Sequence, residues 1–419
     1  MTVTANDLAR ATSRLRRTPG DYGAWLEVAA ILGALGETDD AELAFAAIGE
    51  GARAGGRVAL AVACARHLAE LGSVRGPELV DQIIDTYATG GPHFAFSAPS
   101  AHDDAPPELH ATAGTPESAG SAGARSDAER RAVAIEQARA TIEELGKWLA
   151  ARRPAKIPPA PLLSALSKSG ARALVGVMTA RAFPAGATII EAGEPASALY
   201  WLAHGTATVT RDSGSLGELH TGAFFGEIAL VGGTRRTASV IAADDVWVLE
   251  IPARAVETAA GKHPQLAEVL AFHARARLLS NLTRTSELFR ALADADRDEL
   301  LGKFETQLVP AGTCFIAEGA RNEHLWVVVA GRCEVQAAGG KVAELGPGAA
   351  VGEISLVSGA PAVADVVAVE PAVLLRLAKA DFDAVAKRHP ELLAEVEKLV
   401  VARETQNRAL FQDATDLIV

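Results

Sequence analysis

The spacing of apolar residues changes its period along the chain. From residue 24 to 52 the run AWLEVAAILGALGETDDAELAFAAIGEGA sets its apolar residues three and four apart, the period of a helix, and RVALAVACARHLAELG continues it from residue 57. A helical domain is therefore expected over residues 1–92. The next stretch, SAPSAHDDAPPELHATAGTPESAGSAGARSD, has no apolar period and is rich in Ser, Ala, Pro and Gly, so residues 93–127 read as a disordered linker. A helix, DAERRAVAIEQARATIEELGKWLAARR, and a connector with the prolines of IPPAP fill residues 128–160. Beyond it the period drops towards two, in short glycine-punctuated runs such as ALYWLAHGTATVT and HLWVVVAGRCEVQ, which predict strands. Each set of strands closes on a helical stretch, near KHPQLAEVLAFHARARLL and RHPELLAEVEKLVVARE, so a small antiparallel barrel with a helical appendage is expected twice.

The two sets are copies of one another. Pro184-Ala185-Gly186 returns as Pro310-Ala311-Gly312, Gly226-Glu227 as Gly352-Glu353, and His263-Pro264 as His389-Pro390, each 126 positions later. A constant offset means duplication without a net insertion. The expected units are residues 161–285 and 286–405, followed by a tail at 406–419.

Composition narrows the function. With 49% hydrophobic and 22% charged residues the chain folds into several cores, and its net charge of −12 argues against a nucleic-acid binder. No apolar run has the length that crosses a bilayer, so a cytoplasmic protein without a membrane partner is expected. Cys64, Cys314 and Cys333 have no metal-ligand spacing and read as buried thiols. No metal site, catalytic constellation or cofactor is expected, and the chain reads as a non-enzyme.

The chemistry concentrates in FFGEIALVGGTRRTASV, which begins at residue 224. A turn of helix starting at Gly226 would aim backbone N–H groups at an anion, and Arg236 would meet its charge directly. Glu227 would repel a phosphate but suits a sugar hydroxyl that donates to it, so the pair reads phosphate plus ribose.

FGEIALVGGTRRTAS closely resembles the phosphate-binding cassette of the cyclic nucleotide-binding domain, and the tandem order resembles the regulatory subunit of cAMP-dependent protein kinases. The resemblance implies two jelly-roll β-barrels with flanking helices, in an α+β multidomain chain. It also implies that cAMP or cGMP is bound with Glu227 on the ribose 2′-hydroxyl and Arg236 on the cyclic phosphate, with Gly226, Ile228, Ala229, Thr237 and Ala238 lining the pocket. Upstream, Trp25, Ala29, Leu32, Gly36, Ala41 and Phe45 resemble the packing positions of a tetratricopeptide repeat, or mark an ordinary helical hairpin.

In the second copy Ala362 replaces Arg236, Val363 replaces Thr237 and Asp365 replaces Ser239, while Glu353 remains. A pocket holding one or two acids and no cation would desolvate a phosphate uncompensated, so the second domain reads as degenerate and non-binding. The expected function is a non-catalytic receptor that relays ligand binding to an unidentified protein partner through the N-terminal helices, a kinase being one candidate. Arg152-Arg153-Pro154-Ala155 has the spacing of a kinase pseudosubstrate but also suits a helix C-terminus. The alternatives are a transcription regulator of the catabolite-activator type, for which too few residues follow the second barrel, and a scaffold with two inert barrels.

Overall fold

The computed structural model describes residues 3–88, 126–151, 160–211, 214–272, 274, 300–337, 340–390, 393–394, 396–398 and 400–401. Most of the expected linker, Arg152-Arg153-Pro154-Ala155, the tail and most of the helix expected between the two β units lie outside these residues.

Five helices come first among the described residues: α1 (Ala5–Arg17), α2 (Tyr22–Ala34), α3 (Thr38–Ala54), α4 (Val58–Glu70) and α5 (Arg75–Tyr87). Thr4 and Asp7 close α1 with a reciprocal capping box, which satisfies backbone donors that the helix start leaves open. Gly36 turns α2 into α3 at φ 81°, and Trp25, Ala29, Leu32, Ala41 and Phe45 are buried between them. The long α6 (Asp127–Ala151) packs along α1 and α3. Its Arg139 grips the buried Asp40 through two bonds of 2.6 and 2.9 Å. Two short helices, α7 (Pro161–Ser164) and α8 (Lys168–Gly176), lead into the first β unit.

That unit comprises β1 (Thr179–Phe183), β2 (Thr188–Ile190), β3 (Ala198–His204), β4 (Thr206–Arg211), β5 (Gly214–His220), β6 (Phe224–Phe225), α9 (Glu227–Gly232), β7 (Ser239–Ala242), β8 (Val246–Pro252) and α10 (Ala253–Lys262). Its sheets run β1-β8-β3-β6 and β2-β7-β4-β5. The second unit repeats the plan with β9 (Glu305–Val309), β10 (Cys314–Ile316), β11 (His324–Ala330), β12 (Cys333–Ala337), β13 (Gly340–Leu345), β14 (Ala350–Val351), α11 (Glu353–Ser358), β15 (Asp365–Ala368), β16 (Ala372–Ala378) and α12 (Lys379–Ala386). Its sheets, β9-β16-β11-β14 and β10-β15-β12-β13, have the same order. In each unit the two sheets face one another as a jelly-roll sandwich, and they do not close into a barrel.

The outer face of each first sheet is also covered, which explains why β3 and β11 are apolar at almost every position and do not alternate. On the first unit the cover is the helical region. Leu199, Trp201, Leu249 and Ile251 share one core with Leu60, Cys64 and Leu68 of α4, and Arg66 donates to the Met178 carbonyl at 2.8 Å. Each such side chain, fully buried, contributes about 1.5–3 kcal/mol, so helices and sheet are held as one body. On the second unit Phe304 and Phe382 of its own chain segment cover Leu325, Val327 and Leu375, and Ile228 of α9 joins the same core. The α9 helix approaches so closely that a Cβ on Gly232 would stand 2.4 Å from Val373 Cγ2.

Cys64 and Cys333 are buried as expected, but Cys314 is exposed. It opens β10, a short strand at the edge of its sheet, where nothing covers the first residue. His263 and His389 both end helical turns, their amides donating to Ala259 and Val385.

Candidate functional site

The site in the first unit begins where β6 ends. Gly226 adopts φ 86°, which a residue with a Cβ rarely tolerates, and the turn sends Glu227 inward to 1% exposure. Space imposes glycine as well, since a Cβ there would sit 2.6 Å from Arg236 Nη1. Arg236, itself 6% exposed, donates from Nη1 to the Gly226 carbonyl at 2.9 Å and from Nη2 to the Ala198 carbonyl at 2.6 Å. Its guanidinium lies 5.8 Å from the centre of the Tyr200 ring, which stacks on Phe225. Burial lowers the Arg236 pKa, while Tyr200 and Glu227 act in the opposite direction. A guanidinium has five N–H donors, so clamping two carbonyls leaves others for an anion.

Glu227 and Arg236 line one cavity of about 500 Å³ together with Gly226, Ile228, Ala229, Thr237 and Ala238. All seven residues singled out in the sequence therefore converge. Arg235 does not join them and donates outside the cavity to the Gly193 carbonyl at 2.9 Å. Sequence reasoning missed two supports. Arg211, at the end of β4, fixes the Thr237 carbonyl at 2.8 Å, and the Ala198 carbonyl supplies half of the arginine's seat. A cation closing a strand opposite the cassette was the available signal for Arg211; a backbone carbonyl gives none.

The second unit keeps the frame. Gly352 has φ 89°, Glu353 is 2% exposed, and the Ala362 amide donates to Ala320 at 2.8 Å as the Arg236 amide does to Glu194. The arginine's seat is filled by a different residue. Asn322 Nδ2 donates to the carbonyls of His324 at 2.8 Å and Gly352 at 3.3 Å, the positions that repeat Ala198 and Gly226. The cavity here is about 220 Å³, and among its lining residues Glu344 and Glu353 carry charge but no lysine or arginine does. Asp365 does not line it, so the second acid of the lining is Glu344 in its place. The Asp365 carboxylate accepts from the Glu318 amide at 2.7 Å, as Ser239 accepts from the Ala192 amide at 3.0 Å, so the substitution preserves a loop contact.

Among the described residues no cluster of His, Cys, Asp and Glu could hold a metal ion, and no helix is long and apolar enough to cross a membrane.

Comparison with known proteins agrees with this geometry. Residues 180–263 and 306–389 each match the family described as the cyclic nucleotide-binding domain. The chain is 30% identical over 156 residues to the Pycsar effector protein XpPycTIR of Xanthomonas perforans, covering 34% of this chain and 51% of that protein. It is 23% identical over 238 residues to the cAMP-dependent protein kinase regulatory subunit of Candida albicans, covering 56% and 50%. To the cyclic nucleotide-gated potassium channel mll3241 of Mesorhizobium japonicum it is 34% identical over 109 residues, covering 26% and 30%. The chain thus spans about half or less of the length of these relatives. Two copies of one frame, set in register along the sequence and each matched by the same family, are therefore two cyclic nucleotide-binding domains in tandem.

Proposed function

We propose that the first domain binds one cyclic nucleotide, cAMP or cGMP, and that the chain is a non-catalytic receptor. The observation that carries this is the convergence of Arg236 and Glu227 on one cavity. Arg236 takes the cyclic phosphate, Glu227 the ribose 2′-hydroxyl, and Gly226, Ile228, Ala229, Thr237 and Ala238 shape the wall. The second domain takes no cyclic nucleotide, because no lysine or arginine lines its cavity to compensate a phosphate brought beside the buried Glu353.

Its role is to receive the signal. Ile228 belongs at once to the first cavity and to the core of the second domain, so a ligand that repacks α9 changes that shared contact. A ligand shifts such an equilibrium only by its different affinity for the two arrangements. The output is a protein partner met through the N-terminal helices, which share a core with the first sheet. The similarity to kinase regulatory subunits makes a kinase the first candidate.

Hydrogen exchange of the whole chain with and without cAMP or cGMP tests this reading. Protection is expected to rise over residues 222–240 and to change in β11 and β16, against which α9 rests. A change confined to the cassette would refute the relay, and no change at all would refute binding.

A further inference from the structure

The cassette of the first domain leaves its arginine through a short span that is anchored at both ends. The Arg236 amide donates to the Glu194 carbonyl at 2.8 Å, and the Arg236 carbonyl accepts from the Gly193 amide at 2.9 Å. Ser239 opens β7 and faces Thr210 of β4, the last pair of that ladder. Thr237 and Ala238, two wall residues of the cavity, lie between these anchors and outside the ladder. A carbonyl at such a place has no strand partner, and Arg211 supplies one, its Nε donating to the Thr237 carbonyl at 2.8 Å.

The strand puts Arg211 where it can do this. Alternate residues of β4 share a face, so Arg211 lies with Ala207, buried in the core between the sheets, and Val209, which lines the cavity. Arg211 itself is half-buried and does not line the cavity. Its bond joins the two walls: the β4–β5 hairpin supplies Val209, Leu216 and Leu219, and the cassette supplies Arg236 and Thr237. In the second domain Ala337 stands 126 residues after Arg211, as Ala362 does after Arg236. One copy keeps both arginines and the other keeps neither, the pattern expected of two residues that serve one ligand.

We propose that Arg211 is a positioning residue of the first cavity: by holding the Thr237 carbonyl it presents the Thr237 hydroxyl to the bound nucleotide. A wall residue fixed before the ligand arrives has less freedom to lose on binding, so the clasp raises affinity without touching the ligand. The proposal rests on the reading of this cavity as a cyclic nucleotide site.

Calorimetry of the intact chain with cAMP and cGMP tests it through a double-variant cycle. Arg211→Met keeps the length of the side chain and removes its donors, and should weaken binding about tenfold. Thr237→Val keeps the shape and removes the hydroxyl, with a similar loss expected. Combined, the two should cost no more than about threefold beyond either alone, because both remove the same contact. Arg211→Lys, which can still donate to the carbonyl, should bind within about threefold of the parent chain. Unchanged affinity in Arg211→Met overturns the proposal. So do losses that multiply to roughly a hundredfold in the double variant, which would make Arg211 a structural support independent of Thr237. A parent chain that binds neither nucleotide removes the receptor reading and this proposal together, whereas binding that falls with Arg236→Ala and ignores Arg211→Met removes this proposal alone.

Discussion

Arg236 has two jobs that the second domain separates, and a graft can separate them in the first. Arg236→Ala removes a buried cation that holds the carbonyls of Gly226 and Ala198 at 2.9 and 2.6 Å. Orphaning buried acceptors costs about 1–3 kcal/mol, so the unfolding free energy of the first domain should fall by that amount. Losing a charge-assisted contact of about 1.5–3 kcal/mol to the phosphate should weaken cyclic nucleotide binding by roughly tenfold to a hundredfold. Ala196 occupies the position that Asn322 holds in the second domain, 126 residues on. Ala196→Asn on the Arg236→Ala background should therefore supply an amide to the same two carbonyls. Part of the lost stability should return, while the affinity should not. Recovery is only partial because Asn322 is steadied by the Trp326 indole, and Tyr200 stands at that place in the first domain. Urea denaturation and calorimetry on the four combinations read the two quantities independently. The reasoning is wrong if the double variant regains ligand, which would make the arginine only a clamp, or if Arg236→Ala leaves stability unchanged.

Other expectations follow from neighbouring contacts. Ala362→Arg alone should not create a second cyclic nucleotide site, because Asn322 already occupies the carbonyls that would seat the new guanidinium; titration to two nucleotides per chain would contradict this. Gly232→Val should cost about 1–3 kcal/mol by overpacking against Val373 and should alter exchange in β16, which hydrogen exchange detects; an unchanged β16 would deny the contact. Burial lowers the pKa of His67, packed between Phe45 and Trp247, and of His204, so the folded chain binds fewer protons than the unfolded chain near pH 6. Stability should therefore be full above about pH 6.5 and fall as the pH drops through and below it, and His67→Phe should blunt that fall; a flat profile between about pH 7.5 and 5.5 would refute it.

Much of this was legible in the sequence. A fixed offset of 126 residues exposed the duplication, and Gly226, Glu227 and Arg236 stood close enough in the chain to be read as one cassette. Contacts made across the fold were not legible. Nothing near Ala362 indicates that Asn322, forty residues earlier, takes over the arginine's carbonyls, because the substitution acts through space and through backbone acceptors that have no sequence signature. Asp365 misled for the same reason. An acid in a cassette reads as a pocket charge until its acceptor role towards the Glu318 amide is seen. The docking of the helical region on the first sheet did leave a trace, since ALYWLAH is apolar on both faces, and a strand of that kind must be covered twice. The pattern tells that a cover exists; which segment supplies it depends on tertiary packing.

The central claim is that one charged pocket, and only one, serves cyclic nucleotides. Calorimetry of the intact chain with cAMP and with cGMP tests it most directly, because the same titration returns identity, affinity and stoichiometry. One nucleotide per chain is predicted, with binding weakened roughly tenfold to a hundredfold by Arg236→Ala and untouched by Glu353→Gln. Two equivalent sites, no site, or a single site indifferent to Arg236 would contradict it.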